Sequence, residues 1–177
     1  PAEIDMQRFA SLVDMLSDSC KRFAHLPAYR SMGVAMSFRE LDEASHAFAA
    51  WLQGPAGLQR GDRVALMMPN LLQYPVALFG ILRAGMVVVN VNPLYTPREL
   101  KHQLRDADVR AIVVLENFAH TLAQVIAETA VRKVVTTEVG DLLPTLKRLL
   151  TNAVVKHVKK MVPAWRLPGS VRWRDAL

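Results

Sequence analysis

The side chains able to do chemistry in this sequence are few, and most have a structural use. Glu40, Asp42 and Glu43 lie close enough for paired-carboxylate acid/base work. Their place in the first turn of a helix, where negative charge meets the positive end of the dipole, accounts for them without catalysis, and the same holds for Glu99. His25, His46, His102, His120 and His157 are scattered, with no H-E-x-x-H pair and no G-x-S-x-G nucleophile turn. Cys20 falls on the apolar side of a helical repeat and reads as packing. Gly54, Gly57 and Gly61 precede a strand, whereas a phosphate cradle needs backbone amides at a strand-to-helix turn. The residues assign no catalytic group, and no Cys/His cluster has metal spacing.

Two features remain. The loop Asn90–Tyr95 follows an apolar run and precedes a capped helix. In open parallel sheets such loops face the ligand crevice, so Asn90, Asn92 and Tyr95 are candidates for substrate contact. The second feature is the basic end. Residues 1–144 hold 14 Lys/Arg against 15 Asp/Glu, while residues 145–177 hold 8 against Asp175 alone. Leu146, Leu149, Leu150, Ala153, Val154, Val158, Met161 and Val162 form a helical stripe there, with most cations off it. Lys156, Lys159, Lys160 and Trp165 suit an anionic membrane surface or an acidic partner. The plainer reading packs the stripe on the domain and leaves a solvated cationic face.

The elements that position these residues follow from periodicity. Phe9, Leu12, Val13, Leu16, Cys20 and Phe23 predict an opening helix. Ala28–Ser31 and Val34–Phe38 flank Gly33 as a hairpin, and Ser37 with Glu40 forms a capping box for a helix from Phe38 to Gln53. Four short apolar runs then follow: Val64–Met68, Met86–Val91, Ala111–Leu115 and Lys133–Thr137, with starts 22, 25 and 22 residues apart. Such runs suit strands buried on both faces. The gaps carry helix signals: Asn70 before Leu72–Ala84, Thr96-Pro97-Arg98-Glu99 opening a second helix, and Phe118 to Thr129 a third. The predicted fold is α/β, a mostly parallel doubly wound sheet flanked by helices. Residues 1–144 form the α/β subdomain, and 145–177 form the basic helix and a connector, with Val171–Trp173 a further strand.

Composition sets the outer bounds. Half of the 177 residues are hydrophobic and 21% are charged, which excludes disordered, collagen-like and coiled-coil classes. A single cysteine excludes a disulfide framework. A near-neutral body argues against a diffuse nucleic-acid surface. Val64–Leu82 is 19 residues without charge, but Pro69, Asn70, Gln73 and Pro75 break it as a membrane span. No signal peptide is recognisable, and Pro1 is not read as a translational start. The expected location is the cytoplasm, with attachment to the inner membrane face as the alternative.

Several ordered motifs carry a family resemblance. Met36–Asp42 (Met-Ser-Phe-Arg-Glu-Leu-Asp), Gly61–Asn70 (Gly-Asp-Arg-Val-Ala-Leu-Met-Met-Pro-Asn) and Leu82–Pro93 resemble the N-terminal part of adenylate-forming enzymes. Asn92–Leu104, Val114–Thr121 and Val158–Trp165 narrow the resemblance to bacterial long-chain fatty-acid–CoA ligases. The resemblance implies a parent enzyme that uses ATP, Mg²⁺ and CoA to convert a fatty acid through an acyl-adenylate into acyl-CoA. It also implies that the phosphate loop, the nucleotide pocket and the catalytic lysine lie beyond Leu177. The chain alone is therefore expected to be inactive and to bind none of these cofactors. Its expected partners are the remainder of the polypeptide, the fatty acid, an anionic membrane surface or a second copy, and not nucleic acid. The rival expectation is a non-catalytic module acting through the basic helix. A domain parted from its neighbour should also expose an apolar face, expected on Leu72–Ala84.

Overall fold

The computed structural model describes residues 8–177; Pro1 lies outside them. Helix α1 (Leu12–Arg22) is capped by Ser11, whose hydroxyl accepts from the Asp14 amide. Strands β1 (Pro27–Ser31) and β2 (Val34–Ser37) pair antiparallel around Met32-Gly33, both with positive φ (50° and 71°). That turn suits the twist of a tight hairpin. Ser37 and Glu40 form both arms of the capping box on α2 (Phe38–Gln53).

The alternating units then follow: β3 (Arg63–Met67), α3 (Gln73–Arg83), β4 (Val87–Asn90), α4 (Pro97–Asp106), β5 (Val109–Leu115), α5 (Glu116–Ala123) and β6 (Lys133–Thr137). Helix α6 (Thr145–Ala153) continues into a π-helical turn over Val154–Val158, and β7 (Val171–Arg172) closes the sheet. All five strands are parallel, in the order β4-β3-β5-β6-β7.

Period-two alternation divides the core between the two faces. Val64, Leu66 and Met68 of the β3 region, with Ala111, Val113 and Leu115 of β5, meet α1, α2 and α3 on one side. Ala65, Met67, Ile112 and Val114 meet Leu100, Leu104, Ala119 and Leu122 on the other. A strand buried on both faces needs apolar residues at every position, which the runs at β3 and β5 supply. The sheet is doubly wound as the spacing predicts.

Helices α2 and α3 approach closely because Gly80 has no side chain. A Cβ there would lie 2.8 Å from Phe48 Cδ1 and 3.1 Å from the Ser45 carbonyl oxygen. Cys20 is buried in the same layer. Burial, the Asp42 charge and a hydrogen bond to Asp42 push its thiol up to about 11, against a smaller pull from Arg83. A thiol held protonated in this way is packing material and not a nucleophile.

Several expectations are corrected. Strand β4 is an edge, and Val87 and Asn90 are exposed, so this apolar run is not buried on both faces. Helix α3 exposes no apolar face: Val76, Ala77, Gly80 and Ile81 are buried between α2 and the sheet. It starts at Gln73, with Leu72 as an N-cap that makes no side-chain cap bond. The third crossover helix ends at Ala123, and a short 3-10 turn (Ile126–Glu128) follows it. The uncharged stretch 64–82 resolves into β3, a turn and α3, and no helix among the described residues is long and apolar enough to cross a membrane.

Candidate functional site

The strand order reverses between β3 and β5, and in open α/β sheets the ligand crevice opens at the carboxyl ends beside such a reversal. On the β5–β7 side of that point lies a cleft of about 610 Å³. Glu116 stands at the end of β5, Thr136 and Glu138 at the end of β6, and Arg172 on β7, while Arg148, Asn152 and Lys156 close it from α6 and its π turn.

Helix α6 is fastened over this cleft by its polar side. The Asn152 amide group spans the junction: its Oδ1 accepts from the Gly140 amide at 2.8 Å and its Nδ2 donates to Glu138 Oε2 at 2.8 Å. A Cβ on Gly140 would lie 2.7 Å from that same Oδ1 and 3.1 Å from the Arg148 Cα and carbonyl oxygen, so a larger residue there would disturb both the Asn152 bond and the seating of α6. Lys156 reaches Glu116 at 3.4 Å, and the Asn117 side chain donates to the Met161 carbonyl at 3.0 Å. The Lys147 ammonium donates to the Met32 carbonyl at the hairpin tip. Asp141 orders the strand end beneath, accepting from Thr137 Oγ1 at 2.9 Å and the Glu138 amide at 2.8 Å. The Gln73 amide donates to the Glu138 carbonyl at 2.8 Å from α3.

Glu138 sits above the ordinary carboxylate range, raised first by burial and then by the charges of Glu116 and Asp141, against Lys156 and the Asn152 bond. The folded state therefore holds this proton more tightly than the unfolded chain. Its contribution to stability is present at low pH and is lost as pH rises from the ordinary glutamate value through the raised one. Glu138→Gln keeps an oxygen for Asn152 and removes the charge. Between about pH 4 and pH 8 the unfolding temperature of the variant should decline less than that of the parent; parallel profiles would refute the assignment.

The sequence-predicted residues part company here. Asn90, Asn92 and Tyr95 lie at the far edge of the sheet and do not line the cleft. Asn90 Oδ1 accepts from the Tyr74 hydroxyl at 2.9 Å and its carbonyl accepts from Gln103, Asn92 makes a turn with the Leu94 amide, and Tyr95 packs on the second core layer. Of the basic set, Lys156 is paired with Glu116 and Trp165 packs against the second layer, while Lys159 and Lys160 are exposed. Glu116, Glu138, Arg148 and Asn152 were missed. The available signal was position: Glu116 and Glu138 each follow directly on a buried apolar run.

The stripe on α6 does not pack on the domain. Leu146, Leu149 and Leu150 are 82%, 59% and 64% exposed, and Val158 is 73% exposed. The tail beyond it returns to the body. Strand β7 pairs with β6, and Trp173 is fully buried against Phe48, with ring centroids 4.9 Å apart. The charge boundary after Leu143 and Pro144 is thus not the limit of the sheet.

Parallel strands, helices on both faces and a charged cleft at the carboxyl ends define an open, doubly wound α/β domain. The family model described as AMP-binding enzyme matches residues 16–171, and the chain belongs to that family. It is 60% identical over all 177 residues to a long-chain-fatty-acid–CoA ligase of Escherichia coli O157:H7, of which it covers 32%. With the enzyme of that name from Haemophilus influenzae it shares 55% identity over 98% of its length, covering 31% of that protein. The chain thus spans about a third of the length of these curated relatives. A crystal structure of a long-chain-fatty-acid-CoA ligase from Archaeoglobus fulgidus superposes with a TM-score of 0.66 at 24% identity, over 79% of this chain and 29% of that one. That match shows the shared fold.

Proposed function

We propose that the chain is the N-terminal portion of an ATP-dependent long-chain fatty-acid–CoA ligase. In that reaction the carboxylate of the fatty acid attacks the α-phosphate of ATP, releasing pyrophosphate, and the CoA thiol then displaces AMP. The reading rests on the identity of 60% over the whole chain with a ligase of that name.

The N-termini of α4 and α5 are closed to a phosphate. Helix α5 springs directly from the central strand β5, but its first turn carries Glu116, a negative charge where a phosphate would sit. At α4 the Glu99 carboxylate already accepts the free amide of Thr96. No group of three or more metal-ligating side chains occurs among the described residues. In this reading the portion is the scaffold, whose sheet and cleft wall face the remainder of the polypeptide, and that remainder supplies the nucleotide site.

Fatty-acid-dependent exchange between ATP and labelled pyrophosphate tests both parts. The full polypeptide is expected to catalyse exchange with a long-chain saturated acid, and the 177-residue chain to give none. Silence from the full polypeptide would overturn the ligase reading, and exchange by the short chain would overturn the scaffold assignment.

A further inference from the structure

Helix α6 and its π turn form one wall of the cleft, yet little apolar burial holds them there. An amphipathic helix ordinarily buries its stripe. Here no side chain of Thr145–Ala153 or Val154–Val158 is buried, and none belongs to either core layer. The seating is polar: Asn152 with the Gly140 amide and Glu138, Lys156 with Glu116, Asn117 with the Met161 carbonyl, and Lys147 with the Met32 carbonyl. Val155 and Val162, both half-buried, add a small contact beside Val139. Detaching such a segment exposes little apolar surface, and water can meet each polar group that it frees. A unit of that composition opens locally far more readily than the sheet beneath it.

The two ends are fixed, and the backbone between them has joints. Leu143 before the helix and Leu167 after the π turn are buried. Pro144 leads into α6 from an extended conformation (φ −52°, ψ 146°). On the other side the π turn interrupts the α-helical ladder, and Lys160 takes the left-handed region (φ 49°), which a residue with a Cβ rarely adopts. The Met161 amide bonds back to the Val155 carbonyl across this bend. Hinges are built from a few element-terminal residues of this kind.

We propose that residues 144–163 form a strap that lifts as a unit from the carboxyl ends of β5 and β6 and so gates the cleft, with Asn152 and Lys156 as its latch. Asn152 is the centre of the latch because it serves two groups of the strand end at once, the Gly140 amide and the Glu138 carboxylate. With the strap down, Thr136 in the cleft is 4% exposed. Raising the strap opens the strand ends, the place where open α/β sheets take their ligands. The outward leucines do not oppose the motion, since they are exposed already. The proposal rests on contacts within this chain and does not depend on the ligase reading.

Hydrogen–deuterium exchange on the full polypeptide tests it, paired with maleimide labelling of Thr136→Cys read in the peptide that carries it. Amides of residues 145–158 are expected to exchange at least about tenfold faster than those of β5 and β6. Asn152→Ala removes two hydrogen bonds and should raise both that exchange and the labelling about tenfold, with β5 and β6 unchanged. Lys156→Gln, at an exposed ion pair, should raise both about twofold. If Asn152→Ala also lowers protection in the sheet, Lys156→Gln decides the matter. Exchange at 145–158 no faster than in the sheet would overturn the proposal, whether α6 is rigid or the rest of the polypeptide lies over it. Faster exchange without faster labelling would mean that the helix unravels in place, and would overturn the gate. Rates indifferent to both substitutions would overturn the latch.

Discussion

Trp173→Ala is expected to destabilise the domain by about 3–5 kcal/mol, the range for emptying a large aromatic site in a core. Trp173 is fully buried four residues before Leu177, with its ring 4.9 Å from Phe48, which itself lies parallel to Trp51 at 6.0 Å. Trp173 opens a 3-10 turn (Trp173–Asp175) directly after β7, which is two residues long and pairs with β6 only at Val135 and Thr136. The backbone bonds of so short an edge strand cannot hold it alone, so the indole anchors the last strand to the first core layer. Against a total stability of about 5–15 kcal/mol for a domain, that loss populates the unfolded chain measurably. Urea unfolding followed by circular dichroism measures it. Trp173→Phe keeps most of the ring and removes an indole N–H that has no partner, so it should cost much less than alanine. Equal losses for the two variants would show that Trp173 does not act through packing.

The second large effect is expected at Arg83, whose side chain is 5% exposed. Its guanidinium gathers three helices: Nε donates to Ser45 Oγ at 3.0 Å, Nη2 to the Asp42 carboxylate, and Nη1 reaches Ser17 Oγ at 3.5 Å and His46 Nε2 at 2.7 Å. Removing one partner of a buried ion pair is costly because the other charge is left without compensation. Asp42 keeps more than a third of its surface in water, which softens the penalty, so Arg83→Met should cost about 2–3 kcal/mol. Arg83→Lys should recover only part of it, since a point charge cannot serve the forked set of acceptors. In the Arg83→Met background, Asp42→Asn should be close to neutral. A loss below about 0.5 kcal/mol for Arg83→Met would show that water replaces the network.

Arg83 and Trp173 also show where sequence reading stops. The helix around Arg83 is legible from its apolar residues and the strand before it. The fork is not, because Ser17, Asp42, Ser45 and His46 lie 37 to 66 residues away along the chain. Trp173 closes a run that reads as a further strand, but nothing in the run says that it pairs with β6 and sets the indole in the core. In the candidate site the same limit applies. Asn90, Asn92 and Tyr95 occupy the loop after β4, which takes the edge of the sheet away from the cleft, and strand order is a tertiary fact with no period in the sequence.

The alternation within β3 and β5, the capping boxes at Ser37 and Thr96 and the charge imbalance after Pro144 follow from the sequence alone, since each depends on neighbours within a few residues. They suffice for a doubly wound α/β layer and, with the ordered motifs, for its family. The tertiary structure decided which strand ends share a cleft and which way α6 faces. A helical stripe has the same period whether it is turned in or out. The choice is made by Glu138, Glu116 and the Gly140 amide, which find their partners on the polar side of that helix and leave its leucines outward.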